Sequence, residues 1–123
     1  MALKKILIVD DSPAEVKLLQ AVLQGAGYWP VAINDPTRIE QTVDIEHPAL
    51  ILLDVVMPQR NGFQACRELK ADPNYRAIPI VLVTSKGGSS DKLWGQMQGA
   101  EGYVVKPFTQ EQLLLEIRRF MPA

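Results

Sequence analysis

Three aspartates follow two apolar runs of the sequence. Asp10 and Asp11 come directly after the run ILIV, and Asp54 comes directly after the run LILL. Runs of four large aliphatic residues are typical of strands that are buried on both faces of a parallel sheet. The carboxyl ends of such strands meet at one edge, where open α/β sheets bind their ligands. Because crowded carboxylates raise one another's pKa unless a cation joins them, the sequence predicts a divalent metal site.

Two other polar residues end strand-like segments. Thr84 closes the run IVLVT, and Lys106 follows the run GYVV. In a parallel sheet both would lie at the same edge as the three aspartates. Three carboxylates, a hydroxyl and an ammonium group fit phosphoryl transfer to a carboxylate, with one aspartate as nucleophile and Mg²⁺ held by the other two. The lysine and the hydroxyl would donate to the same phosphoryl oxygens.

Strand-like and helix-like segments alternate along the chain and would position these residues. Strands are predicted near residues 5–9, 28–33, 50–53, 80–84 and 102–105, and helices near 13–24, 36–46, 63–71, 91–98 and 110–121. Capping boxes begin at Ser12 and Thr109, and Gly25 suits the end of the first helix. Five βα units of this length predict a doubly wound, five-stranded parallel sheet with five helices on both faces.

The predicted fourth helix has the weakest signals. Gly95 lies inside it, and the polar stretch GGSS precedes it. Glycine lowers helix stability by up to about 1 kcal/mol relative to alanine, so this helix is predicted to be the least stable. Leu93 and Met97, four residues apart, are predicted to form its buried stripe. Trp94 is predicted to pack against a neighbouring helix rather than face a partner.

Composition limits the classes of protein that fit. A chain of 123 residues, of which 47% are hydrophobic and 22% charged, predicts one globular domain over 1–123 without an effector domain. The net charge of −1 and the lack of a basic tract argue against direct nucleic-acid binding. No apolar run is long enough to insert into a membrane, and no signal peptide is evident. The single cysteine, Cys66, predicts a reduced, cytoplasmic protein.

The motifs together resemble a CheY-like receiver domain of two-component signalling over nearly the whole chain. The resemblance is carried by the segment DDS at 10–12, Asp54 with the segment MP at 57–58 and Gly62, the pair TS at 84–85, Tyr103, and the segment KPF at 106–108. It implies that a histidine kinase or phosphotransfer protein phosphorylates Asp54. It also implies a Mg²⁺ site formed by the following residues: Asp10, Asp11, Asp54 and the backbone carbonyl of Val56.

The same resemblance implies roles for the other polar residues. Thr84 would bind the phosphoryl group and act with Tyr103 as a switch, and Lys106 would pair with the phosphoryl oxygens. The Lys106–Pro107 peptide would be cis. The face formed by helix 4, strand 5 and helix 5 would then change its affinity for an unknown downstream protein. The chain would catalyse its own phosphorylation and dephosphorylation without being a conventional enzyme.

A shorter stretch, residues 84–103, is similar to receivers of the PilH and PixH type, which serve twitching motility and phototaxis. Its features are the segment DKLWG at 91–95 and the segment QGA at 98–100. The implied function is a stand-alone response regulator in motility or taxis signalling.

Simpler and competing interpretations remain open from the sequence. Asp11 alone would serve as a helix cap, and Thr84 as an ordinary strand residue. An aspartyl phosphatase is disfavoured because its acids are typically spaced D-x-D, whereas Asp10 and Asp11 are adjacent. A flavin-binding module would need a phosphate loop rich in Ser, Thr and Gly after strand 1. A phosphate sink and a docking module independent of phosphorylation are not separated from the main hypothesis.

Overall fold

The apolar runs form a single parallel sheet in the computed structural model, which describes residues 4–121. The strands are β1 (Lys5–Val9), β2 (Trp29–Ile33), β3 (Leu50–Leu53), β4 (Ile80–Thr84) and β5 (Gly102–Val105), in the order β2-β1-β3-β4-β5. The helices are α1 (Pro13–Gly25), α2 (Ile39–Glu46), α3 (Gly62–Ala71), α4 (Ser89–Met97) and α5 (Gln110–Arg118). The predicted doubly wound fold is confirmed.

Side chains alternate along the strands, so each face of the sheet has its own core. Ile6 and Ile8 of β1 belong to one hydrophobic cluster, which includes Leu19 and Leu23 of α1 and Leu113 and Ile117 of α5. Leu7 and Val9 belong to the other, with Ile39 and Val43 of α2 and Ala65 and Leu69 of α3. Because β1, β3 and β4 are covered on both faces, their sequences read as continuous apolar runs.

The helix ends follow the predicted signals with small shifts. The Ser12 hydroxyl accepts from the Glu15 N–H at 3.5 Å, and Thr109 and Gln112 form a complete capping box. The predicted helix over 36–46 instead begins as a 3₁₀ turn, Pro36–Arg38, whose start is capped by the Asp35 carboxylate, which accepts from the Thr37 N–H at 2.9 Å. The last helix ends at Arg118, earlier than predicted.

Helix α4 differs most from its prediction. Leu93 and Met97 are 57% and 67% exposed, so the predicted buried stripe is wrong, and Trp94 is 46% exposed rather than packed away. Gly95 is the residue of α4 that is buried against the sheet. A Cβ atom at Gly95 would lie 2.8 Å from Leu82 Cδ1 and 3.1 Å from Tyr103 Cε2. The glycine therefore lets α4 approach the sheet closely, and this contact turns the apolar side chains outward.

Candidate functional site

The three predicted aspartates meet at the carboxyl edge of the sheet. The Asp54 N–H donates to the Val9 carbonyl at 3.0 Å, which places the end of β3 beside the end of β1. Carboxylate oxygens of Asp10, Asp11 and Asp54 all lie within 4.8 Å of one another. Three carboxylates at this separation suit a hard cation with oxygen ligands, of which Mg²⁺ is the typical case next to phosphate. The donor set therefore fits the predicted metal.

Lys106 reaches the same cluster from the end of β5. Its Nζ lies 2.8 Å from Asp10 Oδ2 and 3.6 Å from Asp54 Oδ2. The Lys106 N–H donates to the Thr84 carbonyl at 2.8 Å, and the Lys106–Pro107 peptide is cis, as predicted. Burial opposes the charge of the lysine, but the hydrogen bond to Asp10 and the charge of Asp54 outweigh it and raise the pKa of Lys106.

The environment of Asp54 disfavours the charged form of its carboxyl group. Its side chain is 11% exposed, and this burial is the main reason why the pKa of Asp54 is raised. Lys106 lowers that pKa, whereas the neighbouring charge of Asp10 raises it again. The Val55 N–H also donates to Asp54 Oδ1 at 2.7 Å, which lowers the pKa and fixes the carboxylate. Lys106 thus lies near two of the three clustered carboxylates, and the excess of negative charge favours a bound cation.

The loop after β3 approaches the phosphoacceptor candidate closely. A Cβ atom at Gly62 would lie 2.2 Å from the Asp54 carbonyl oxygen, a distance that only glycine avoids. The Gly62 N–H donates to the Val55 carbonyl at 2.9 Å, which closes the loop. Val56, whose backbone carbonyl is the predicted metal ligand, lies within this loop and is 57% exposed.

The two predicted switch residues both contact Lys86. Thr84 is fully buried, and its hydroxyl accepts from the Lys86 N–H at 3.4 Å, which is long for a hydrogen bond. The Tyr103 hydroxyl donates to the Lys86 carbonyl at 2.5 Å. Burial, with the charges of Asp91 and Asp54, raises the pKa of Tyr103 to about 12, so this hydroxyl stays protonated and able to donate.

Two charged residues near the cluster were missed by the sequence analysis. Glu15 Oε2 lies 3.9 Å from Lys106 Nζ. Its capping-box position at the start of α1 was a usable signal, since the first turn of that helix follows Asp11 directly. Arg60 is 9% exposed and binds two glutamates beside the loop after β3. Its position between Pro58 and Gly62 gave no indication of partners distant in sequence.

Comparison with known sequences identifies relatives of the chain. The response regulator receiver domain family matches residues 6–118. Protein PilH of Pseudomonas aeruginosa is 42% identical over 113 residues, which is 92% of this chain and 93% of that protein. This similarity confirms the resemblance to PilH-type receivers. Seven further curated relatives are 36–41% identical, and the chain spans only 25–50% of their length.

Solved structures share the same fold. Chemotaxis protein CheY4 of Vibrio cholerae superimposes with a TM-score of 0.88 at 31% identity, covering 97% of this chain and 99% of that one. The receiver domain of sensor histidine kinase PA1611 of Pseudomonas aeruginosa has a TM-score of 0.87 at 27% identity, with 99% and 100% coverage. The latter carries a magnesium ion coordinated in its active-site cleft. Within residues 4–121, no helix has the length and apolar character needed to cross a bilayer.

Proposed function

The chain belongs to the response regulator receiver domain family, and on this basis we propose that it is a stand-alone response regulator phosphorylated on Asp54. The observation that carries the proposal is the group of three carboxylates within 4.8 Å, two of which lie within 3.6 Å of the Lys106 ammonium group. The nearly full-length match to PilH supports a single-domain regulator. The family match gives no support to the flavin-binding and phosphatase interpretations.

The proposed reaction is transfer of a phosphoryl group from a phosphohistidine. A carboxylate oxygen of Asp54 attacks the phosphorus, so a P–O bond forms as the P–N bond breaks, and the released imidazole takes a proton from solvent. Lys106 Nζ, 3.6 Å from Asp54, is placed to follow the phosphoryl oxygens. Bound Mg²⁺, held by Asp10, Asp11, Asp54 and the Val56 carbonyl, would neutralise charge on those oxygens.

Phosphorylation would act through Thr84 and Tyr103. The Thr84 hydroxyl accepts a long bond from the Lys86 N–H, so this bond would oppose only weakly a rotation of the hydroxyl to donate its proton to a phosphoryl oxygen. The Lys86 segment would move with the hydroxyl and release the Tyr103 hydroxyl, which is bound to the Lys86 carbonyl. A covalent charge changes the population of the two states only through contacts that differ between them, and these are such contacts.

The surface of α4 is the proposed output region. Leu93, Trp94 and Met97 project from it with at least 46% exposure each, next to β5 and α5. Exposed apolar side chains grouped in this way are typical of a protein-binding surface. We infer a downstream protein partner rather than nucleic acid, a histidine kinase or phosphotransfer protein upstream, and a cytoplasmic role in motility signalling. The activity would be self-catalysed phosphorylation and dephosphorylation, without a conventional enzymatic reaction.

Incubation with a small acyl phosphate and Mg²⁺ tests the phosphoacceptor. The wild-type chain should gain one phosphoryl group by mass spectrometry, and the Asp54→Asn variant should gain none. Asp44→Asn is the matched control, because Asp44 also accepts a side-chain hydrogen bond but lies on α2, away from the cluster. Labelling of Asp54→Asn at the wild-type rate would show that Asp54 is not the phosphoacceptor.

Phosphorylation-independent docking is the second candidate, because the apolar side chains of α4 are already exposed without a phosphoryl group. Partner capture with and without beryllofluoride separates the two. Capture that depends on beryllofluoride supports the switch, and equal capture in both conditions supports simple docking.

A further inference from the structure

We propose that Arg60 is a positioning residue, which fixes the two loops flanking the acidic cluster and thereby sets the Mg²⁺ affinity of the site. The inference rests on the proposed function, since it concerns the same metal site. It is carried by the hydrogen bonds that the buried guanidinium donates to two helices and to the loop before α2.

The Arg60 side chain joins parts of the chain that are distant in sequence. Nη1 and Nη2 each donate to a separate oxygen of Glu40 at 2.8 Å, a two-pronged geometry that arginine favours with carboxylates. Nε donates to Glu68 Oε1 at 2.9 Å, and Nη1 also donates to the Pro36 carbonyl at 2.9 Å. One side chain therefore holds α2, α3 and the 3₁₀ turn before α2 against the loop after β3.

Burial makes these contacts stronger than those of a surface arginine. The Arg60 side chain is only 10% exposed. Burial by itself would lower the pKa of Arg60, but hydrogen bonds and charge from Glu40 and Glu68 outweigh it and keep the guanidinium charged. Removal of the arginine would leave Glu40 and Glu68 without their common cation.

Arg60 belongs to the loop that carries a predicted metal ligand. It follows Val56 by four residues and precedes Gly62, whose N–H closes the loop onto Val55. The preceding residue, Gln59, has a φ of 71°, in the left-handed region that a non-glycine residue rarely adopts. Such a backbone persists where surrounding contacts hold it, and Arg60 supplies contacts of this kind next to it.

Pro36, whose carbonyl accepts from Arg60, lies next to a second loop that borders the acidic cluster. Pro36 follows the loop that leaves β2, and the Ile33 carbonyl at the start of that loop accepts the Asp10 N–H at 3.2 Å. This loop and the start of α1 enclose a cleft of about 430 Å³, which is lined in part by Asp10, Asp11 and Asp35. Arg60 thus ties the loop containing Val56 to the 3₁₀ turn that directly follows the loop beside the other two acids.

Lys70 provides a matched control at the opposite edge of the sheet. Its Nζ donates to the Ile78 carbonyl at 2.8 Å, the Arg76 carbonyl at 3.1 Å and Glu101 Oε2 at 2.6 Å. The side chain is 14% exposed, close to the value for Arg60. Both cations therefore link loops to a helix under similar burial, but only Arg60 does so next to the acidic cluster.

The test is Mg²⁺ titration of the full chain by calorimetry, with urea unfolding measured in parallel. Arg60→Met and Glu40→Gln should raise the Mg²⁺ Kd by about three- to tenfold, somewhat less than the roughly 10–100-fold cost of losing a partner in direct contact with a ligand. Arg60→Lys should recover only part of the affinity, because an ammonium cannot form the two-pronged contact. Lys70→Met should lose stability but keep its Mg²⁺ Kd within about twofold of wild type.

Amide hydrogen exchange measures directly how often the loop after β3 opens. The Gly62 N–H, bonded to the Val55 carbonyl, should exchange faster in Arg60→Met and at the wild-type rate in Lys70→Met. Unchanged Mg²⁺ affinity in both Arg60→Lys and Glu40→Gln would overturn the inference, even if Arg60→Met were too unstable to titrate. Absence of Mg²⁺ binding by the wild-type chain would instead remove the proposed function, and the inference with it.

Discussion

Charged residues are paired differently at the edge of the sheet where the strands begin and at the edge where they end. At the edge where the strands begin, two ion pairs each join one cation to one acid, which are Lys5 with Glu46 at 3.2 Å and Lys70 with Glu101 at 2.6 Å. At the edge where the strands end, Lys106 is shared among several acids, which are Asp10, Asp54 and Glu15. Asp11 adds a further carboxylate within 4.8 Å of Asp10 and Asp54.

This difference separates charges that stabilise the fold from charges that serve chemistry. Paired charges at a partly exposed edge add modest stability and leave no charge for a ligand to neutralise. A buried carboxylate raises the free energy of the folded state, and the raised pKa of Asp54 records that cost, which Lys106 reduces and the charge of Asp10 increases. A chain keeps such an arrangement where a ligand with positive charge completes it, so the unbalanced edge is the one that points to function.

Removal of Lys106 should produce the largest effect on stability. Lys106→Met leaves Asp10, whose side chain is 2% exposed, without its cationic partner, and should lower the free energy of unfolding by about 3 kcal/mol in EDTA. Added Mg²⁺ should restore much of this loss, because the metal takes over the neutralising role. Urea unfolding with EDTA and with Mg²⁺ measures both numbers.

Lys70→Met is the comparison at the paired edge, and its loss of stability should not respond to Mg²⁺. If Mg²⁺ rescued both variants equally, or neither of them, the contrast between the two edges would lose its basis.

Asp54→Asn should have a smaller effect of opposite sign. The folded pKa of Asp54 is raised above the unfolded value, so the native state binds more protons between these two pKa values and stability falls as pH rises through them. At neutral pH the ionised acid therefore opposes folding, and its removal should add on the order of 1 kcal/mol in EDTA, given the partial compensation by Lys106. Below the unfolded pKa of 3.8, the gain should vanish.

Urea unfolding of wild type and Asp54→Asn at several pH values provides the check. Asp44→Asn serves as the control, because the Asp44 carboxylate is exposed and accepts from the Tyr75 hydroxyl, so its loss removes no buried charge. A decrease in stability of Asp54→Asn at neutral pH would mean that the carboxyl edge is not strained.

Most of the fold was predictable because apolar runs and helix-capping residues agree with it. Continuous apolar runs marked β1, β3 and β4, and the capping residues Ser12 and Thr109 marked helix starts. Helix α4 was the exception, because its orientation depends on Gly95 facing Leu82 and Tyr103. A contact made possible by a missing side chain leaves no trace in hydrophobic periodicity, which pointed instead to Leu93 and Met97.

The acids of the site were predictable from the sequence, but the residues that hold them in place were not. Strand ends fix where Asp10 and Asp54 must lie, because parallel topology brings those ends together. The position of Arg60 follows from tertiary contacts with Glu40, which is 20 residues away in sequence. No local pattern records such a pairing, so residues that hold a site in place are harder to predict than residues that act in it.

The smallest effect is expected for a single pair at the balanced edge. The Lys5–Glu46 pair has side chains that are 24% and 31% exposed, so Glu46→Gln should lower the free energy of unfolding by about 0.5 kcal/mol, and by less at high salt. Mg²⁺ should not change this value, since the pair lies at the start of β1 and the acidic cluster lies beyond its end. Urea unfolding at low and high salt, with and without Mg²⁺, measures all three expectations. A loss comparable to that of Lys106→Met would show that the paired edge carries as much electrostatic energy as the unpaired one.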